Sequence, residues 1–532
     1  METTHYDYII IGTGAGGATL AMKLAPTGKS ILILERGDFI PREKENWDAI
    51  EVFTKGRYRT QEKWYDANDQ PFEPFTHYCV GGNTKMYGAA LLRLREKDFE
   101  EVKHAGGTSP AWPIRYSDLE AYYTEAEKIY SVHGLRDSDP TEPHSTEAYP
   151  FPPVPAETSM AELFSEIKNL GYRPFPIPIA VRLGDENGTA KSPVRLSNFD
   201  GFPDLTEAKA DAHVVALKEA MMYPNVTLRT GAYAEKLITD PSGKKLMKVI
   251  VKFAEHSEEY SAETFVVACG AINSAALFLR SANAQHPNGL SNGSGQVGRN
   301  YMVHNNGALI AVSEKYNNAQ FQKHFGITDF YYGSTDFDFP LGTIQLMGKS
   351  DPDTLVDLCK AIYPEKSFEQ LSSHSVDFWL TTEDLPLSEN RVTLREDGSI
   401  RISYTSNNRE GYERLKQKLR DIFNLLGEKN PEWKQTHFVG YDLGVSGVSH
   451  QNGTLRFGTD PATSVLDPNC KSHEIDNLYV CDASFFPSCG AVNPSLTIMA
   501  NALRVGEHLI EKYSQHREGN NQAIESTQLV SQ

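Results

Sequence analysis

The sequence predicts an α/β protein: a parallel sheet flanked by helices, interrupted by an α+β region built on an antiparallel sheet. Three observations carry this. The runs DYIIIG (7–12) and SILILE (30–35) are apolar without alternation, as in parallel strands buried on both faces. The same style returns in ETFVVACG (263–270) and NLYVCDAS (477–484). Between them, residues 301–440 change character and alternate, as in RVTLREDGSIRISYT (391–405), the pattern of a half-buried antiparallel sheet. The first domain is therefore expected in pieces, 1–160, 205–300 and 441–514, and the second in 161–204 and 301–440. The polar tail 515–532 is expected to be disordered.

The elements follow in order. Residues 6–37 read as strand, tight turn, helix, strand. Ala18, Ala21, Leu24 and Ala25 give the helix its apolar stripe, and Pro26 and Gly28 close it. Residues 38–110 are irregular. RYSDLEAYYTEAEKIY (115–130) reads as a helix with Ser117 as N-cap. Residues 135–160 form a Pro-rich loop. NVTLRTGAYAEKLITD and LMKVIVKF read as strands, and VACGAINSAALFLRS as strand, Gly turn and helix. ERLKQKLRDIFNLLG (413–427) is an amphipathic helix, and SLTIMANALRVGEHLIEKY (495–513) a further helix.

The chain has 532 residues and a formal charge of −18, which excludes nucleic acid or an anionic membrane as partner. No apolar run approaches the ~18 residues of a membrane span, and the start METTHYD has no basic segment followed by an apolar one. These features read as cytoplasmic. The six cysteines form no C-x-x-C pair, so neither a disulfide framework nor a metal site is expected.

Gly12, Gly14 and Gly17 form G-x-G-x-x-G between a strand and a helix. The first turns the chain, the second admits a pyrophosphate, and the third packs helix on strand. The helix N-terminus offers free N–H groups to phosphates. Glu35, at the end of the next strand, is placed to bind ribose hydroxyls. An adenine dinucleotide is expected, with NAD and FAD both open at this point.

VSHQNGTLRFG (448–458), YVCDASFFPSCGAVNPSLTIMANALRVGEHL (479–509), VGGNTKMYGAALLRLREKDFE (80–100), VACGAINSAALFLRS and GQVGRNYMVH (295–304) together resemble the glucose–methanol–choline (GMC) family of FAD oxidoreductases. Within it the chain looks similar to the sugar-oxidising branch around pyranose oxidases. The resemblance implies a Rossmann-like FAD-binding domain interrupted by the antiparallel substrate domain. It implies cofactor contacts at Thr13, Ala15, Glu35, Arg36, Gly81, Gly82, Asn83, Met86, Tyr87, Gly88, Ala234, Gly270, Asp482, Ala483, Ser495 and Leu496. Met86 stands where some relatives carry a flavin-linking His, which implies non-covalent FAD. The cysteines that some electron-wired relatives carry near SNFDGFPD (197–204) are lacking, so oxygen or a small diffusible acceptor is expected to reoxidise the flavin.

Two residues are expected to act on substrate. His450 matches the family's H-x-x-G-T and suits acceptance of a hydroxyl proton at neutral pH. Asn493 is placed to orient that hydroxyl while hydride passes to flavin N5. Read directly, Asn493-Pro494-Ser495 is also a helix start, with Asn493 as N-cap and Pro494 at the first helical position. The N–H groups of Ser495 and Leu496 then favour negative charge on the flavin. Gln345 and Trp379, in the presumed substrate sheet, are candidates to bind and stack on a sugar. The expected reaction is oxidation of a primary or secondary alcohol of a sugar, glycoside or polyol. A flavin-dependent lyase and an NAD-dependent dehydrogenase are the alternatives.

Overall fold

The computed structural model describes residues 4–183, 199–447 and 449–530. Residues 184–198, inside the expected 161–204 piece, lie outside these ranges, as do Ser197 and Asn198 of SNFDGFPD.

A seven-stranded sheet forms the nucleotide-binding side. Its order is Val226–Arg229, Ile31–Leu34, Thr4–Ile11, Ser257–Val267, Leu246–Lys252, Tyr233–Thr239, with Leu478–Val480 also paired to Ser257–Val267. The pairs among the first four strands are parallel, as is that with Leu478–Val480. Their carboxyl ends align: Ile11 lies opposite Leu34 and Val267, and Val267 opposite Val480. Residues 8–11, 31–34, 265–267 and 478–480 are all buried, which explains the unalternated apolar runs. Helices start just beyond three of the four aligned ends, at Ala15–Leu24, Ala271–Arg280 and Ser495–Val530. Ligands of open α/β sheets bind at such an edge.

The second sheet has six strands in the order His437–Asp442, Asn305–Val312, Ser375–Thr382, Thr343–Leu346, Phe325–Ile327, Phe175–Pro176, all antiparallel. Helix Arg409–Lys429 covers one face through Leu415, Leu419, Ile422 and Leu426. Their 3.6-residue spacing makes one stripe against Val376, Phe378 and Leu380. Each such buried side chain contributes about 1.5–3 kcal/mol.

Three local expectations differ. Residues 116–118 form a 3₁₀ turn ahead of helix Glu120–Ile129, so Ser117 lies inside that turn and the helix is preceded by Leu119, with no side-chain cap. The last helix begins at Ser495 with the Pro494 carbonyl accepting the Ile498 N–H at 3.1 Å, so Pro494 rather than Asn493 is the capping residue. That helix runs on to Val530, where the sequence suggests a disordered tail. A polar segment appended to an already nucleated helix extends it without a second nucleation cost.

Candidate active site

A cavity of about 300 Å³ opens along the carboxyl edge of the parallel sheet. At one end lie the glycine turn and Glu35. Gly12 adopts φ +107°, and a Cβ there would meet the Ala268 carbonyl oxygen at 2.3 Å. Gly17 packs on the Gly12 carbonyl at 2.0 Å from its would-be Cβ. Nothing stands within 4 Å of the would-be Cβ of Gly14, which faces the cavity. Thr13 joins three segments. Its hydroxyl donates to Glu35 Oε2 at 2.6 Å and accepts the Gly81 N–H at 2.9 Å. Glu35 also accepts N–H bonds from Thr13 and Gly37. Burial pushes its carboxyl up, and those hydrogen bonds pull it down. Arg36 lies 3.6 Å from the centre of the Tyr78 ring and pairs with Glu62 at 3.0 Å.

The loop after Gly81 forms one wall, with Gly82, Asn83, Met86, Tyr87 and Gly88 on the cavity. A Cβ on Gly88 would stand 1.9 Å from Asp200 Oδ1, so that side chain would have to shift. Asp200 in turn accepts from Lys323 Nζ at 2.8 Å. The opposite wall includes Ala234, Gly270, Asp482 and Ala483. Asp482 accepts the Gly270 N–H at 3.0 Å and the Ser274 hydroxyl at 2.5 Å, and it also caps the turn Ala483–Phe485 through the Ser484 N–H. Burial raises its carboxyl.

His450 and Asn493 both line this cavity, with Ser449, Pro494 and Ser495. His450 Nδ1 lies 2.9 Å from His304 Nδ1 and 3.3 Å from Asn306 Nδ2. Burial first, then His304 and Lys323, hold the His450 imidazole well below its usual value. It is therefore neutral, and able to accept a proton, over a wider pH range than the sequence suggested. Asn493 does not cap the helix because its Oδ1 accepts from Gln345 Nε2 at 2.8 Å, which leaves its Nδ2 as the donor.

Of the residues singled out in the sequence, Gly17, Gly81, Leu496, Gln345 and Trp379 do not line the cavity. Leu496 is fully buried in the core. Gln345 reaches the site only through Asn493, and Trp379 lies beside Gln345 in the sheet, partly exposed. Sequence reasoning missed Gly16, the segment Phe75–Tyr78, Asn273, Arg280 and His304. The doubled glycine after Ala15 was a signal for Gly16. His304 closed a motif already noted, but nothing local set it apart.

The residues fit FAD. The cavity spans from a buried carboxylate and a glycine-lined helix start to a His–Asn pair, and two buried polar atoms on its wall, Thr76 Oγ1 and His77 Nδ1, have no protein partner. Residues 6–306 and 386–502 match the N- and C-terminal GMC oxidoreductase families. The chain belongs to the GMC oxidoreductase family. GMC oxidoreductases are FAD-dependent and act on CH–OH donors, and this one is 31% identical to 6'''-hydroxyparomomycin C oxidase of Streptomyces lividus over 96% of this chain and 93% of that protein. Paromamine 6'-oxidase of Streptomyces fradiae is likewise 31% identical, over 96% and 93%. Among solved structures, pyridoxine 4-oxidase from Mesorbium loti superposes with a TM-score of 0.65 at 17% identity, covering 94% of this chain and 99% of that one.

The loop Cys489–Ala491, just ahead of Asn493, is held by buried acids. Glu383 accepts the Gly490 N–H at 3.1 Å. Tyr331 accepts the Ala491 N–H at 3.1 Å and donates to Asp98 at 2.7 Å. Burial, then the nearby Glu383, push Asp98 up to about 6. A carboxyl raised on folding contributes stability below the unfolded carboxylate range, and that contribution is lost as pH rises through about 6. Asp98→Asn keeps an acceptor for Tyr331 and Arg95 and removes the titration. We expect the variant to lose less melting temperature than wild type between pH 5 and 7.5. Equal losses in thermal scans would rule this out.

Proposed function

We propose that this enzyme oxidises a primary or secondary alcohol of a sugar, glycoside or other polyol to the carbonyl, with FAD held non-covalently. The observation that carries the reading is that one cavity is lined both by an imidazole held below its usual value and by an amide whose oxygen is already engaged. His450 accepts the hydroxyl proton, and Asn493 donates its Nδ2–H to the same oxygen and orients the alcohol. Gly14, Ala15 and the helix start would hold the pyrophosphate, Glu35 the ribose, and Met86, Tyr87, Gly88, Ser495 and the Leu496 N–H the ring end. The flavin supplies two-electron acceptance of the hydride. The aminoglycoside-oxidising relatives support a sugar-like substrate. Oxygen or a small diffusible acceptor completes the cycle. Six free cysteines are consistent with a cytoplasmic setting. Among the described residues no helix is long and apolar enough to cross a membrane.

The test is a screen of sugars, aminated sugars and glycosides under oxygen and with a dye acceptor, followed by anaerobic flavin bleaching. Turnover of a substrate with the flavin remaining oxidised throughout would replace this reading with a non-redox one. Met86 cannot form the histidyl link seen in some relatives. Acid precipitation is therefore expected to release the FAD into the supernatant, and yellow colour retained in the pellet would show a covalent bond.

A further inference from the structure

We propose that His304 is a positioning residue that holds His450 as the Nδ1–H tautomer, so that the lone pair of His450 Nε2 is the one available to the substrate hydroxyl. The inference rests on the reading of His450 as the base.

The backbone sets the pair. Strand Met302–Val303 runs antiparallel to Gln451–Asn452, with Met302 opposite Asn452 and Val303 opposite Gln451. One step further along that ladder places His304 opposite His450. The rings meet edge to face, with centroids 5.0 Å apart and planes at 90°.

The proton assignment follows from the partners. His304 Nε2 lies 3.2 Å from the Cys489 carbonyl oxygen, which can only accept, so Nε2 carries a hydrogen. His304 is 1% exposed, and burial disfavours its charged form. A neutral ring with Nε2–H has a bare Nδ1. The 2.9 Å contact between the two Nδ1 atoms then requires the hydrogen to sit on His450. The Asn306 amide, 3.3 Å away, accommodates this, because its oxygen and nitrogen exchange on a half-turn and its Oδ1 has no partner as placed. With Nδ1–H engaged, Nε2 of His450 is the proton acceptor. When it takes the proton, the His304 lone pair still receives the Nδ1–H of the imidazolium. His304 is thus to His450 what Gln345 is to Asn493: each lies behind its partner, outside the cavity lining, and fixes which end of a two-ended group faces the reaction.

Two measurements on the holoenzyme test this. The first is the ¹⁵N spectrum of histidine-labelled protein, with the His450 signals identified by their loss in His450→Gln. The expected result is a protonated Nδ1 and a bare Nε2. The reverse, the tautomer usual for free histidine, would overturn the proposal without reference to activity. The second compares two variants in anaerobic flavin reduction. Asparagine puts an amide oxygen where His304 Nδ1 stood, and glutamine reaches only the position of Nε2. His304→Asn is expected to stay within a few-fold of wild type. His304→Gln is expected to slow reduction ~10²-fold, the lower end of what a general base contributes, with KM little changed and His450 reverting to Nε2–H. Equal loss in both variants would assign His304 a purely structural role and overturn the proposal. If His304→Gln fails to bind FAD, the wild-type spectrum still decides. Should the Nδ1–H tautomer be found while His450→Ala reacts at the wild-type rate, the base reading fails and the tautomer assignment stands apart from it.

Discussion

Replacing His450 by alanine is expected to leave FAD content and fold in place and to slow flavin reduction by substrate about 10²–10⁴-fold, the usual contribution of a general base. The side chain is half-buried on a loop and is hydrogen-bonded to His304 and Asn306. Truncation leaves the buried His304 Nδ1 without its donor, a cost of about 1–3 kcal/mol. The pH profile adds a sign. A base must be unprotonated, and burial with His304 and Lys323 nearby holds His450 below its usual range. Lys323 is itself paired with Asp200, and Glu383 acts on His304. In wild type, kcat/KM should therefore be flat around neutrality, with its acid limb displaced below the range of an ordinary imidazole. In His450→Ala that acid limb should vanish. Stopped-flow reduction across pH measures both, and an unchanged rate would remove His450 from the chemistry.

The second large effect is expected at Gly16. A Cβ there would stand 1.5 Å from the Cys481 carbonyl oxygen and 3.3 Å from Ile498 Cγ2. The first obstacle is backbone and cannot rotate away, so helix Ala15–Leu24 would have to lift from the end of strand Leu478–Val480. We expect Gly16→Ala to cost at least the ~1–3 kcal/mol of ordinary overpacking. It should lower the melting temperature of the protein with and without FAD. Gly14→Ala is the contrast. Its Cβ meets no protein atom within 4 Å but projects where a pyrophosphate would pass. That variant should keep the melting temperature of the FAD-free protein and purify with little flavin. Thermal scans and flavin-to-protein ratios separate the two. If both variants lose only flavin, the Gly16 contact is not a packing constraint.

The contrast shows what the sequence made legible. The parallel strands and the glycine turn are local patterns: Tyr8–Ile11 and Ile31–Leu34 are buried on both faces, and their composition says so. Glu35 could be found by counting along the chain. Gln345 could not be read correctly, because its role depends on a bond to a residue 148 positions away. His304 could not be distinguished from other loop histidines without the register of a two-residue ladder. Asn493 was misread as a cap for the same reason: Asn-Pro-Ser is a good helix start in isolation, and only the neighbouring sheet shows that its amide oxygen is engaged elsewhere.

The seam between Gly16 and Cys481 also has a temporal side. The first helix is made about 450 residues ahead of strand Leu478–Val480 and the helix after it, on whose Cys481 and Ile498 it closes. At ~5–20 residues per second, that interval is roughly half a minute to a minute and a half. Until then strand Ser257–Val267 lacks its partner Leu478–Val480, and helix Ala15–Leu24 keeps one face uncovered. The cavity, lined by residues 11–16 near one end of the chain and by 482, 483, 493–495 and 498 near the other, is complete only once the later segment has been made.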